Sequence, residues 1–244
     1  MKPTVAVITP ASGNPLIKDC IYSINKQTYP CQHYIFYDGI VSLEQFNKFS
    51  KQHNGKNRLC AYWPTRLNYV GNNKEQLAAR RIYTVAPYLV NEDYICFLNE
   101  DDWYKPNHVE SLVKAIQKDG LDWAHCLRGI YDKHGEFLFN DDCESLGKHD
   151  IWNAPGQHLV ESCSYMVKNE VMRRFAFVND HRDYGPDRVM YAVLSQYHPK
   201  FACTGLYTMC FRLGGNPGSV GRGFLETGNA EMAKRYPKGF PWRA

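Results

Sequence analysis

Short apolar strands and helical stripes take turns along the first half of this chain, and that alternation restricts its fold more than any other feature. "TVAVIT" (Thr4–Thr9) is a continuous run rich in β-branched residues, the form of a strand buried on both faces. After the turn "PASGNP", Leu16, Ile17, Cys20, Ile21 and Ile24 recur at helical spacing. "HYIFYD" (His33–Asp38) reads as the second strand, and Ser42 with Gln45 forms a capping box for a helix carrying Leu43, Phe46 and Phe49. "RLCAYW" (Arg58–Trp63) is the third strand. Asn73 with Gln76 starts a further helix, which Pro87 ends. "DYICFL" (Asp93–Leu98) is the fourth strand, and Pro106 suits the first position of a helix with Val109, Leu112, Val113 and Ile116 along one side. Such units predict a mostly parallel, Rossmann-like sheet with crossover helices, whose ligand crevice lies at the carboxyl ends of the strands. Thr9–Asn14, Asp38–Gly39 and Asn99–Asp102 all fall at those ends.

The remainder is less regular. "WAHCLRGIYD" and "EFLFN" flank "KHG" as a hairpin, "SCSYMV" (Ser162–Val167) reads as a strand, Pro186 to Tyr197 as a helix with Val189, Val193 and Tyr197 on one face, and Phe201–Leu213 as a long strand. A glycine-rich stretch, Gly214–Gly223, precedes a short charged tail. No linker or repeat divides the chain, and 244 residues at 44% hydrophobic composition suffice for one substantial core. The expectation is one domain over 1–244, with a ligand-binding half at 1–120 and a second half at 121–244 that extends the same sheet.

Several classes are disfavoured. No apolar run approaches membrane length, and the N-terminal one is too short for a signal-peptide core. A net charge of +4 with dispersed basic residues lacks the clustered footprint of a nucleic-acid binder. The nine cysteines are odd in number and contain no C-x-x-C pair, which argues against a disulfide framework or a zinc site and for a reducing, cytoplasmic setting. His158, His181 and His198 have no metal-ligand spacing.

The densest chemistry lies in "CFLNEDDWYKP". Hard divalent cations take oxygen ligands, and Mg²⁺ is usually held by one or two carboxylates plus substrate phosphates; Glu100, Asp101 and Asp102 could supply such oxygens. The alternative is a solvated loop whose acids complement the dipole of the next helix. A carboxylate at Asp38 could accept the ring N–H of uracil or thymine, or the N–H pair on the edge of guanine, whereas adenine offers no comparable ring donor. It could equally make an Asx-type turn with Gly39. Trp103 could pack on a sugar or in the core.

Taken in order, "ITPASGN", "FYDG", "QLAARR" and "FLNEDDW" resemble the motifs of the family 2 glycosyltransferases of GT-A fold: a first strand with a P-x-x-N turn, a "DG" after the second strand, an alanine–arginine pair in the helix after the third, and "L-D-x-D-D" after the fourth. The resemblance covers about residues 4–195. It implies an inverting transferase that moves a sugar from a nucleoside-diphosphate donor, UDP first and dTDP or GDP next, to the hydroxyl of a glycan or another acceptor. Thr9, Pro10, Ala11, Asp38, Arg80, Asn99, Glu100 and Asp101 would then bind the donor. Asp101 with Asp102 would hold Mn²⁺ or Mg²⁺. The family's base, an aspartate near the start of a helix in the second half, matches Asp187 in "HRDYGPDRVMYAVL", with Asp183 and Asp180 as rivals and helix capping as its alternative role. The glycine-rich stretch would act as a lid, with Arg212 or Arg222 offsetting leaving-group charge, or as a flexible connection. The pattern departs from the family at Asn99, where the first acid is expected, and at Tyr37, which precedes Asp38 in place of an acid. Asn99 keeps open a binding module without catalysis. A sugar-1-phosphate nucleotidylyltransferase would show a "G-x-G-T-R" turn, which "TPASGNP" does not supply.

Overall fold

Strand β1 (Val5–Ala11) lies between β2 (Gln32–Asp38) and β4 (Tyr94–Phe97), and β3 (Arg58–Trp63) joins on the far side of β2, all in parallel register. This is the order 3-2-1-4 of a Rossmann-like half. The computed structural model describes residues 2–38, 43–53, 55, 57–63, 80–180, 185–214 and 220–243. The expected helix from Asn73 lies outside these residues up to Arg80, where α3 (Arg80–Val85) is described.

Alternation along the strands divides the core into two faces. Val5 and Val7 point toward α1 (Ile17–Asn25) and α4 (His108–Asp119), meeting Cys20, Ile24, Val109, Leu112, Val113 and Ile116. Ala6 and Ile8 point the other way, toward α3, α5 (Asn169–Phe175) and α6 (Pro186–Tyr197). Helix α2 (Leu43–His53) contributes Phe46, which packs edge-on against Tyr37 near the end of β2. The apolar stripes expected of α1 and α4 are therefore the buried ones. Helix α4 starts later than expected: Asn107 is its N-cap, and the Pro106 carbonyl accepts from the Thr28 amide at 2.9 Å.

Past β4 the direction reverses. Strand β8 (Tyr165–Lys168) pairs antiparallel with β4 and with β6 (Trp123–Tyr131), and β9 (Phe201–Arg212) runs parallel to β6. The expected hairpin is present as β6 and β7 (Phe137–Asn140), and a two-residue strand, β5 (Trp103–Tyr104), pairs antiparallel with β9. Among the described residues, β1, β2, β3, β4, β6 and β9 all point the same way in one nine-stranded sheet. Both halves of the chain thus present carboxyl strand ends to one edge.

Three expectations change. "SCSYMV" is not all strand: Ser162–Ser164 forms a 3-10 turn and only Tyr165 onward joins the sheet. The charged tail contains a helix, α7 (Arg222–Arg235), which packs Leu225 and Met232 against Leu127, Ile130 and Cys143. Its polar composition concealed it. Gly228 lets this helix approach, since a Cβ there would sit 2.7 Å from the Cys143 sulfur and 2.6 Å from the Trp152 ring. Third, α6 buries Met190, Tyr191 and Leu194, while Tyr197 is 62% exposed. The buried stripe thereby includes the face on which Asp187 sits, four residues before Tyr191.

Behind the edge lies a buried ionic network. The Arg128 Nε donates to Asp141 at 2.6 Å and Nη2 to Glu144 at 2.7 Å, while the amides of Cys143, Glu144 and Ser145 also donate to Asp141. Burial by itself would raise the Asp141 carboxyl, yet Arg128 and these donors hold it below the usual range. Removing one partner leaves charge stranded in the interior, so Arg128→Met is expected to cost about 3–5 kcal/mol in a denaturant titration. Because the folded value of Asp141 is depressed, its contribution is complete above the unfolded value of about 3.9 and disappears as pH falls below it.

Candidate active site

The acidic turn after β4 is held by donors from three directions. Both Glu100 oxygens face the β1–α1 turn: the Ser12 amide donates to Oε1 at 2.9 Å, the Ser12 hydroxyl to the same oxygen, and the Asn14 amide to Oε2 at 3.1 Å. Asp102 is 2% exposed, and its oxygens accept from the Arg212 amide at 2.9 Å and from the Asn99 side chain at 3.2 Å. Asn99 also accepts from the Tyr83 hydroxyl at 2.7 Å. Asp101, half-buried between them, interacts with the backbone of its own turn and with the charge of Arg212. Burial pushes all three carboxyls up, and the charges of Asp101 and Glu161 push Asp102 further.

Arg212, the last residue of β9, ties this turn to the second half. Its Nε donates to the Asp101 carbonyl at 2.9 Å, Nη1 to the Lys133 carbonyl at 3.2 Å and Nη2 to Asp19 at 2.6 Å, and the guanidinium lies 4.7 Å over the Trp103 ring. Its side chain is 3% exposed. It is fixed at the end of β9 by these bonds, and the expectation that it or Arg222 offsets leaving-group charge is not tested by them. Arg222 instead opens α7 and pairs with Glu226. Gly215 to Ser219 of the glycine-rich stretch lie outside the described residues.

Asp187 occupies the first turn of α6, after Gly185 and Pro186. The helix dipole there favours the ionised carboxylate. Its Oδ1 accepts from the Ser162 hydroxyl, and Ser162 belongs to the 3-10 turn that precedes β8. Because β8 is antiparallel to β4, its beginning lies beside the end of β4, where Cys96 pairs with Met166. The Asn99 amide donates to the Cys163 sulfur at 3.3 Å. The fold thus bonds Asp187 and the start of the acidic turn to neighbouring residues of a single short turn.

Other sequence-derived candidates distribute unevenly. Thr9 is fully buried, its hydroxyl 2.9 Å from His33 Nε2, and Pro10 and Ala11 end the buried run of β1. Asp38 ends β2 and Arg80 begins α3, but the side chains of both lie outside the described residues, as do Asp183 and the Asp180 side chain. Trp103 packs on Tyr131 at 4.7 Å as well as on Arg212. His158 lies 3.7 Å from Asp150 and His198 2.7 Å from Asp122; His181 is outside the described residues. Among the described residues no group of three or more His, Cys, Asp or Glu is arranged to hold a metal ion. The acidic turn carries the carboxylate oxygens that a hard cation takes when it draws its remaining ligands from a diphosphate.

Sequence reasoning passed over Glu161 and Ser162. The available signal was a single acid inside the apolar run "LVESCSYMV", since an acid flanked that way has to be buried and satisfied. Glu161 is 7% exposed and caps the 3-10 turn by accepting from the Cys163 amide at 2.9 Å.

Comparison with known proteins agrees with this architecture. The family model for Glycosyl transferase family 2 matches residues 5–177, well over half of the chain. The chain belongs to glycosyl transferase family 2. No match is found among curated proteins. Structures with the same GT-A fold include S. aureus TarS (TM-score 0.62, 10% identity, 96% of this chain and 43% of that one) and TarS 1–349 in complex with UDP-GlcNAc (0.59, 14%, 86% and 58%). Another is the mannosyltransferase PcManGT from Pyrobaculum calidifontis in complex with GDP-Man and Mn²⁺ (0.59, 11%, 96% and 62%). The chain spans less than half the length of the full TarS structure. Within this glycosyltransferase fold, burial and then the Asp187 charge push the Glu161 carboxyl up to about 8. An acid raised on folding stabilises most below its unfolded value of about 4.3, and that contribution is lost as pH rises through the folded value. Unfolding free energy is therefore expected to decline between about pH 5 and 8, and less steeply in Glu161→Gln, in denaturant titrations across that range.

Proposed function

We propose that this family 2 protein is an inverting glycosyltransferase moving a sugar from a nucleoside-diphosphate donor to an acceptor hydroxyl, with Asp187 as the general base. The observation that carries the reading is the joint anchoring of Asp187 and the acidic turn on Ser162–Ser164, at the strand edge where α/β sheets bind ligands. An ionised carboxylate at a helix start suits the removal of the acceptor proton as the hydroxyl attacks the anomeric carbon. Inversion follows from a single displacement on the face opposite the leaving nucleotide.

Asp101 is the carboxylate for Mn²⁺ or Mg²⁺, with Asp102 supporting it; such an ion, when bound, offsets the charge of the departing diphosphate. Thr9–Ala11 and Asp38 line the base side, Arg80 and Glu100 belong to the donor crevice, and Asn99 gives an amide where a carboxylate contact to ribose is expected. The Asn99 amide is bonded to Tyr83 and Asp102, so it orders the acidic turn as well. UDP is the first candidate nucleotide, with dTDP and GDP next; structural neighbours hold UDP-GlcNAc and GDP-Man. The acceptor is a glycan or another hydroxyl compound met by the half spanning 121–244, and residues 1–244 act as one domain. No helix among the described residues is long and apolar enough to cross a membrane, and all nine cysteines are free thiols, which supports a cytoplasmic site of action.

Incubation with a panel of UDP-, dTDP- and GDP-sugars and Mn²⁺ should release nucleoside diphosphate. Asp187→Ala is expected to lower kcat by about 100- to 10,000-fold, the usual share of a general base. Asp101→Ala or chelation should abolish metal-dependent release. Donor binding without turnover under every metal and acceptor would leave a binding module instead, and a donor complex with its diphosphate remote from Asp101 would remove the central assignment.

A further inference from the structure

The 3-10 turn Ser162–Ser164 is bonded on both sides to groups that the transfer reaction needs at a constant separation. On one side, the Asn99 amide donates to the Cys163 sulfur at 3.3 Å, and the Tyr104 hydroxyl donates to the Cys163 carbonyl at 2.9 Å, so both ends of the segment Asn99–Tyr104 rest on Cys163. On the other, the Ser162 hydroxyl donates to Asp187 Oδ1. The turn is itself held: Glu161 caps it through the Cys163 amide, and the Glu161 amide donates at 2.9 Å to the Ser145 hydroxyl. Ser145 in turn gives its amide to Asp141, the carboxylate clamped by Arg128. A path of hydrogen bonds therefore runs from the buried ionic network through Glu161 and the turn to Asp187.

We propose that Ser162 is a positioning residue of the transferase, and that the Glu161-capped turn sets the place of the Asp187 carboxylate relative to the acidic turn. This rests on the reading of Asp187 as the base. An aspartate at the first turn of a helix retains two side-chain torsions, and the helix dipole favours its charge without choosing its rotamer. The Ser162 hydroxyl, by donating to Oδ1, restricts that choice. The turn reaches the acidic segment through Cys163 within the same three residues. Misplacement of a reacting group by about 1 Å is enough to cost about 100-fold in rate.

The experiment compares Ser162→Ala, Ser162→Thr, Ser162→Cys and Asp187→Ala by steady-state kinetics with the donor found active in the panel, and by calorimetry with UDP and Mn²⁺. Ser162→Ala is expected to lower kcat by about 10- to 100-fold while the KM for donor and the UDP affinity stay within about twofold, because the donor contacts lie elsewhere in the crevice. Ser162→Thr, which keeps a hydroxyl, should restore most of kcat. Ser162→Cys, similar in size but a poor donor, should resemble Ser162→Ala, and the Thr–Cys comparison decides the matter if the alanine variant does not fold. Wild-type kcat in Ser162→Ala, or a loss of kcat matched by an equal loss of UDP affinity, overturns the proposal. With Asp187→Ala inactive, either result removes the positioning role alone; an active Asp187→Ala removes the base assignment and the positioning role together.

Discussion

Carboxylates taken out of water must be given donors, and at the ligand edge of this sheet that requirement organises the surroundings. Glu100 takes its donors from the turn after β1, Asp102 from the end of β9 and from Asn99. Apart from the local Asn99 bond, each crosses a long stretch of sequence, so satisfying the acids simultaneously ties together the ends of β1, β4 and β9. An unpaired acid there would cost several kcal/mol. The arrangement gives these acids their donors within the protein, which is what an electrostatic site needs, since prearranged groups do not have to reorganise during reaction.

The same demand explains the second layer. Glu161 is buried next to Asp187 and behind the turn that carries Ser162, and its oxygens are used as a cap. Arg128, paired with Asp141 and Glu144, is buried, and its positive charge acts on Glu161. Two cations, Arg128 and Arg212, thus stand behind the acids from β6 and β9, the neighbouring strands of the second half. That half is tied to the chemistry by charge as much as by shape.

The first half of the fold could be read directly because its signals are local. Apolar runs four to six residues long, stripes at helical spacing and turn residues between them specified β1 to β4, α1 and α4, and the acids at their ends were visible as "NEDD". The readings that changed involve long-range partners. "SCSYMV" has strand composition, yet its first three residues turn because Glu161 caps them and Cys163 receives bonds from Asn99 and Tyr104. Helix α7 shows almost no stripe, and its apolar contacts are gathered from β6 and the segment after β7. On α6, Val189 and Val193 pack at the margin of the core while Met190, Tyr191 and Leu194 are fully covered and Tyr197 is exposed, since the opposing surface, Trp123 and Phe201, decides which side is covered.

Residue types and their spacing alone were sufficient for an α/β sheet with polar clusters at its carboxyl edge, and for the acids that could serve there. Periodicity and turn chemistry act over a few residues, and they leave the same trace in any context. That Arg212 is bonded to the acidic turn and to Asp19, and that Ser162 meets Asp187, were decided by the antiparallel pairing of β4 with β8 and the parallel pairing of β6 with β9. Those contacts join residues 25 to 193 positions apart, and no local preference of the chain encodes them; they follow from burying both sheet faces and leaving no acid at the edge without a donor.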